Sequence, residues 1–187
     1  MPPTRFRARA CAKINLGLKI VARRADGFHE LRTVFQTISL ADELSCELER
    51  GRGVRLETSG LPVPPGSDNL AYRAAEMAAE ALKLRGRIVL RLHKRIPSGA
   101  GLGGGSSDAA AVIRMLSRAV ARPPALAAQL GWARRLGSDV PNFLLGGAVL
   151  GLGRGDEVYA LEDLGPWHCV LAMPRARRDR AAAATTT

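Results

Sequence analysis

Ile96-Pro97-Ser98-Gly99-Ala100-Gly101-Leu102-Gly103-Gly104-Gly105-Ser106-Ser107-Asp108 is the stretch whose reading decides the fold. Five of the seven residues from 99 to 105 are glycine. The run stands between an alternating apolar segment (Ile88, Leu90, Leu92) and an alanine-rich apolar segment, Ser106–Val120. A strand, a glycine loop and a helix in that order let several backbone N–H groups converge on one anion. The first turn of the helix adds unpaired N–H groups and the positive end of its dipole. Pro97 to Ser107 therefore reads as a phosphate cradle, with Ser106 and Ser107 as hydroxyls for the helix cap, the phosphate or a Mg²⁺ ion. A flexible glycine linker is the competing reading, but linkers rarely join an alternating strand directly to a helix.

Two familiar cradles do not fit. A Walker A loop needs a lysine before Ser106, where Gly105 stands. Gly99-x-Gly101-x-x-Gly104 matches a dinucleotide fingerprint, yet residues 109–138 contain no Asp or Glu to hold a ribose. No HRD or DFG sequence supports a protein kinase.

Working outward, Ile14, Leu16, Leu18 and Ile20 fall on one face of a predicted strand, and Lys13, Asn15, Gly17 and Lys19 on the other. A second strand is predicted around Val34–Leu40. Leu44–Leu48 and Val54–Glu57 read as a hairpin about Gly51–Gly53. Asp68 is a predicted N-cap for a helix from Asn69 to Leu84. A further helix, Ala125–Leu136, is stopped by Gly137, and strands are expected at Gly146–Gly153, Glu157–Leu161 and Cys169–Ala172. The pattern is α+β. Residues 1–173 are expected to form one domain with the start of another at its end. Residues 174–187, with no apolar period, are expected to be a disordered or non-native tail.

Charge bounds the partners. The 187 residues carry 28 Lys+Arg against 17 Asp+Glu, a net +11. Arg5, Arg7 and Arg9 supply three of those charges, and the segment from Arg175 onward supplies three more, so the excess sits at the ends. The middle suits phosphorylated small molecules better than a nucleic-acid track. Only 4% of the residues are aromatic, which weighs against a base-stacking single-strand binder. No apolar run approaches the ~20 residues of a membrane span. Cys11, Cys46 and Cys169 are scattered, which argues against a disulfide framework or zinc site and fits the reducing cytoplasm. The Arg-rich start lacks an apolar core for a secretory signal and runs straight into strand-like sequence, against an organellar transit peptide.

The Pro97-to-Ser107 run resembles the nucleotide loop of the GHMP small-molecule kinases. Three more segments narrow the resemblance: Ala12-Lys13-Ile14-Asn15-Leu16, Arg24-Ala25-Asp26-Gly27-Phe28-His29 and Gly137-Ser138-Asp139-Val140-Pro141. They are similar to the branch that phosphorylates a hydroxyl of a cytidine-diphosphate-linked polyol in non-mevalonate isoprenoid synthesis. The likeness spans about residues 8–173. It implies a GHMP-kinase N-terminal domain, ribosomal protein S5 domain 2-like in fold, and ATP with Mg²⁺ as the phosphoryl source. It also implies a cytidine diphosphate substrate, with neither nucleic acid nor membrane as partner, and leaves the oligomeric state open. By the same resemblance Asp139 orients or deprotonates the acceptor hydroxyl, and Lys13 holds Asp139 ionised and steadies the phosphoryl. Pro97, Ser98, Gly99, Ala100, Gly101, Leu102, Gly103, Gly104, Gly105, Ser106, Ser107 and Asn69 surround the nucleotide, while Asn15, Phe28 and His29 meet the cytidine substrate.

Without the resemblance, a strand lysine reads as a solvated face, Asp139 as a turn residue and Asn69 as a first-turn helix residue. Members of that branch continue for about another hundred residues as a second α+β domain, so this chain is expected to lack most of it. A non-catalytic remnant that binds nucleotide weakly, or serves only as an interaction module, is therefore a second reading. A nucleic-acid-binding domain, suggested by the S5-like fold and the charge, is a third.

Overall fold

The computed structural model describes residues 5–25, 27–163 and 165–173. The expected tail, 174–187, lies outside the described residues, as does Asp26 of the Asp-Gly turn. Six strands and four helices follow in the order β1 (Arg5–Arg23), β2 (His29–Glu49), β3 (Gly53–Gly60), α1 (Leu70–Ala81), β4 (Arg87–Lys94), α2 (Gly104–Ser117), α3 (Leu126–Leu136), α4 (Val140–Leu145), β5 (Ala148–Gly153) and β6 (Glu157–Ala160).

One sheet holds all six strands, and β2 is its spine. Along one edge β2 pairs with β1 from Arg5↔Glu47 to Arg23↔His29. Its other edge is shared: Glu43–Glu49 pair with β4, and Leu31–Gln36 pair with β5. β3 lies outside β4 and parallel to it, with α1 as the crossover. The hairpin expected about Gly51–Gly53 is thus not formed, because β4 inserts between its two arms. Its fully apolar face (Ile88, Leu90 and Leu92, each at most 1% exposed) takes the central place that a polar-edged β3 cannot fill.

Helix α2 is the centre of the core. Eleven of its fourteen residues are buried, including Ala109 to Ile113, because it packs against α1, α3, α4 and β1 at once. Small residues on α1 (Ala71, Ala74, Ala75, Ala78) let the two helices approach. The cap of α1 is Asn69, not Asp68: its Oδ1 accepts from the Ala71 N–H at 2.9 Å. The Pro141 segment, expected as loop, winds into the short helix α4, whose first turn has no N–H to lose at a proline.

Two other expectations give way. Leu16, Leu18 and Ile20 share a strand but are 49–58% exposed, because β1 is there the outer strand of the β1–β2–β5–β6 part of the sheet; beyond Ile20, β1 and β2 run on alone as a two-stranded ribbon. Cys169–Ala172 forms no strand among the described residues, although Leu171, like Ile14, Ile38 and Leu40, packs against the buried cluster of Ala12, Ile96 and Leu102.

A candidate phosphate-transfer site

The glycine loop, the start of α2, the 3-10 turn before α1 and the loop before α4 enclose a cavity of about 390 Å³. Ten consecutive residues from Pro97 to Ser106 line it, together with Lys13, Asn69, Lys94, Asp108 and Asp139. Gly99, Gly101 and Gly103 have φ of +75°, +76° and +69°, so side chains other than hydrogen are strained there. Gly103 also caps α2 without any side-chain bond to the helix. The first N–H groups of the helix thus face the cavity without partners in their own helix. Backbone N–H groups so arranged can hold an anion.

Most of the expected site residues converge here, with differences in detail. Ser106 lines the cavity. Ser107 does not: its hydroxyl donates to the Cys11 carbonyl at 2.6 Å, tying α2 to β1, so the expectation of two hydroxyls at the phosphate reduces to one. Asn69 lines the cavity, but its Nδ2 donates to the Pro64 carbonyl at 3.1 Å while its Oδ1 caps α1. Its first role is structural.

Lys13 and Asp139 meet. The Lys13 Nζ lies 3.7 Å from the Asp139 carboxylate, donates to Asn15 Oδ1 at 2.8 Å and sits 5.3 Å from the centre of the Phe35 ring. The lysine side chain is 7% exposed and the aspartate 36%, so the ammonium is held and the carboxylate faces the opening. Asp139 stands at the N-cap of α4 yet makes no capping bond, which leaves its oxygens available. Asn15 is fixed in turn, donating to Thr33 Oγ1 at 2.6 Å. Its period-of-two spacing from Lys13 is what puts both on one face. Phe28 and His29 lie elsewhere, exposed where β2 starts at the far end of the ribbon, and neither lines this cavity.

The structure adds a charge cluster that the sequence reading missed. Lys94, at the end of β4, bonds both Asp42 and Asp108, the latter at 2.8 Å, and all three side chains are at most 2% exposed. The second Asp42 oxygen accepts from the N–H groups of Arg95 and Ile96, which begin the glycine loop. Burial pushes the Asp108 carboxyl up to about 7; the Lys94 ammonium opposes the rise and Asp42 adds to it. In the unfolded chain Asp108 ionises near 3.8, so between that value and about 7 only the folded protein holds the proton. This stabilisation is complete at low pH and lost as pH rises through about 7. Asp108→Asn, neutral throughout, lacks that slope. Its melting temperature relative to the wild type is expected to climb between about pH 5 and about pH 8, and a constant gap would count against the assignment.

A larger basin of about 800 Å³ lies on the sheet, where Arg5, Arg7, Arg9 and Arg91 stand among Glu43 and Glu57. Arg5 and Arg91 both pair with Glu47, at 3.0 and 2.8 Å, so carboxylates interleave this basic face. Cys46 is buried, and that burial pushes its thiol up to about 12, leaving no thiolate for chemistry. Among the described residues no three His, Cys, Asp or Glu side chains group as a metal site, and no helix is long and apolar enough to cross a membrane.

Known proteins resemble this chain over most of its length. The GHMP kinases N-terminal domain matches residues 69–147. The 4-diphosphocytidyl-2-C-methyl-D-erythritol kinase of Solibacter usitatus is 51% identical over 167 residues, 89% of this chain and 52% of the relative. That of Moorella thermoacetica is 47% identical, over 88% of this chain and 57% of the relative. A crystal structure of 4-(cytidine 5'-diphospho)-2C-methyl-D-erythritol kinase superposes with a TM-score of 0.72 at 44% identity, covering 83% of this chain and 55% of that one. A mevalonate diphosphate decarboxylase from Legionella pneumophila, 15% identical with a TM-score of 0.63, shares the fold. The chain spans about half the length of the curated relatives it matches. It belongs to the GHMP kinase family, whose N-terminal domain it carries.

Proposed function

We propose that this chain is the nucleotide-binding and catalytic part of a kinase that transfers phosphate from ATP to the 2-hydroxyl of 4-diphosphocytidyl-2-C-methyl-D-erythritol. The observation that carries the reading is the Lys13–Asp139 pair at 3.7 Å, beside a cavity walled by the glycine loop. Residues 1–173 form the N-terminal ATP-binding domain in this reading, with the start of the next domain at their end. The scattered free cysteines fit work in the cytoplasm.

The glycine-loop N–H groups, the start of α2 and Ser106 hold the triphosphate, which supplies the phosphoryl group when bound with Mg²⁺. Asp139 takes the proton of the acceptor hydroxyl as its oxygen bonds to the terminal phosphorus and the bond to the bridging oxygen breaks, releasing ADP. Lys13 keeps Asp139 ionised and offsets charge on the phosphoryl in flight. Asn15 positions Lys13. Phe28 stacks on the pyrimidine and His29 bonds its edge, which fits two ring side chains left exposed at the end of the ribbon.

A coupled ADP-release assay with that substrate tests the proposal. Asp139→Asn is expected to lower the rate by roughly 10²–10⁴-fold, the usual worth of a positioned base, while Mg-ATP still raises the melting temperature. Equal background rates in wild type and variant would remove the claim of catalysis. Absence of any Mg-ATP thermal shift would remove the nucleotide site as well.

A further inference from the structure

Helix α2 borders two cavities. Ser106 lines the glycine-loop cavity, whereas Ser107 lines a separate groove of about 300 Å³ between α2 and β1, and no residue lines both. Four arginines surround this groove. Arg114, in the last turn of α2, and Arg118, at its C-cap, stand four residues apart; Arg7 and Arg9 stand two apart on β1. All four are exposed, and no Asp or Glu lines the groove. None of them forms an ion pair with another described residue. Arg9 Nη2 donates to the Ser39 carbonyl at 2.9 Å, and Arg7 is the last of the cations that lower the Glu47 carboxyl, after Arg91 and Arg5. Arginines at a helix C-terminus offset its dipole, which accounts for Arg114 and Arg118 but not for the strand pair facing them.

The strand adds donors of its own. β1 pairs only with β2 among the described residues, so its other edge is free of a strand. The Cys11 carbonyl points to that edge, since it accepts from the Ser107 hydroxyl. In an antiparallel pair the N–H and C=O of one residue share a direction, and the direction alternates along the strand. No bulge separates Arg7 from Cys11, so the main-chain N–H groups of Arg7 and Arg9 face the groove too. No turn or loop carbonyl among the described residues accepts from them. Thr37 also lines the groove, with a buried hydroxyl that has no hydrogen-bond partner.

We propose that this groove is a second anion site, which takes the diphosphate group of a small molecule between the arginines of β1 and those of α2. The proposal goes beyond phosphate transfer at Asp139 and does not depend on it. Guanidinium forks pair with phosphoryl oxygens two bonds at a time, so four of them without a carboxylate suit a group with several charged oxygens. The small, concave shape suits one such group better than the continuous phosphate track of a nucleic acid.

Inorganic pyrophosphate is the probe. In nitrogen–proton correlation spectra of the full chain it should saturably shift the main-chain N–H of Arg9 and the side-chain Nε–H of Arg114 and Arg118. Adding ATP should leave those shifts in place. Arg114→Gln and Arg118→Gln should each weaken pyrophosphate roughly 5- to 20-fold. Arg73→Gln, the same charge change on an exposed arginine of α1, should leave it within about two-fold. Inorganic phosphate should bind roughly ten-fold more weakly than pyrophosphate. Displacement by ATP, or shifts confined to residues 99–105, would place the probe in the nucleotide cavity and overturn the groove. Equal weakening by Arg73→Gln would reduce the effect to net charge, and equal affinity for phosphate would remove the diphosphate assignment. A short DNA duplex that displaces pyrophosphate at lower concentration would make the surface one for nucleic acid instead.

Discussion

Lys94→Met should destabilise the protein by about 3–5 kcal/mol, the cost of stranding buried partners of a lost charge. At this chain length that corresponds to a fall of roughly 6–20 °C in melting temperature. Methionine matches the length of the lysine stem, so little packing volume is lost. What is lost is the only cation within bonding distance of two carboxylates, Asp42 and Asp108, among the described residues. The effect has a direction in pH. Without the ammonium that lowers it, the Asp108 carboxyl moves up beyond about 7, so the variant keeps a proton on it at a pH where the wild type has shed its own beside Lys94. The deficit should therefore widen from about pH 5 to about pH 8, and adding Asp108→Asn should recover part of it. A melting temperature within about 2 °C of wild type would show that water reaches the cluster and that it is not the staple described here. Because Asp42 also holds the first N–H groups of the loop, Mg-ATP affinity should fall along with stability.

The second large effect is expected at Gly103. A methyl group there would lie 2.7 Å from the Phe143 ring and 3.3 Å from the Lys13 side chain, on backbone at φ +69°. The left-handed conformation costs alanine about 1–2 kcal/mol, and overpacking against a ring that is 7% exposed costs about 1–3 kcal/mol more. Relief requires moving Phe143, and with it α4 and the Asp139 that precedes it. Gly103→Ala should thus lose both stability and roughly ten-fold or more in nucleotide affinity and rate. Gly105→Ala is the matched control, since its methyl would meet only Leu70 at 3.7 Å on ordinary backbone. Similar losses in both variants would mean that the loop needs flexibility at large, not a close approach at one position.

Much of this was legible in the chain. Local patterns announced themselves: the glycine loop between a strand and a helix, the Lys13/Asn15 spacing, and the helices expected over 69–84 and 106–120, which the fold forms at 70–81 and 104–117. What escaped was decided by partners distant in sequence. Gly51 and Gly53 look like a hairpin turn because the signal is local, but the sheet order is set by β4, whose apolar faces compete for the centre. Asp42 and Asp108 lie 52 and 14 residues from Lys94. Each resembles an ordinary solvated charge until the fold buries all three together. The Leu16–Ile20 alternation did mark a strand, yet period alone cannot say whether an opposing layer exists. Ser107 shows the same limit at the site: its hydroxyl is chemically able to meet phosphate and is used on a backbone carbonyl instead.

The divided edge of β2 has a consequence during synthesis. Leu31–Gln36 must wait for Ala148–Gly153, more than a hundred residues downstream, before that edge is paired. At about 5–20 residues per second the ribosome needs roughly 6–24 s to deliver them. During that interval the Thr33–Phe35 segment, whose Thr33 and Phe35 are finally buried, is an open strand edge on a nascent chain. Yield in the cell should accordingly depend on translation speed between those two strands, and on the chaperones that meet the chain in that window.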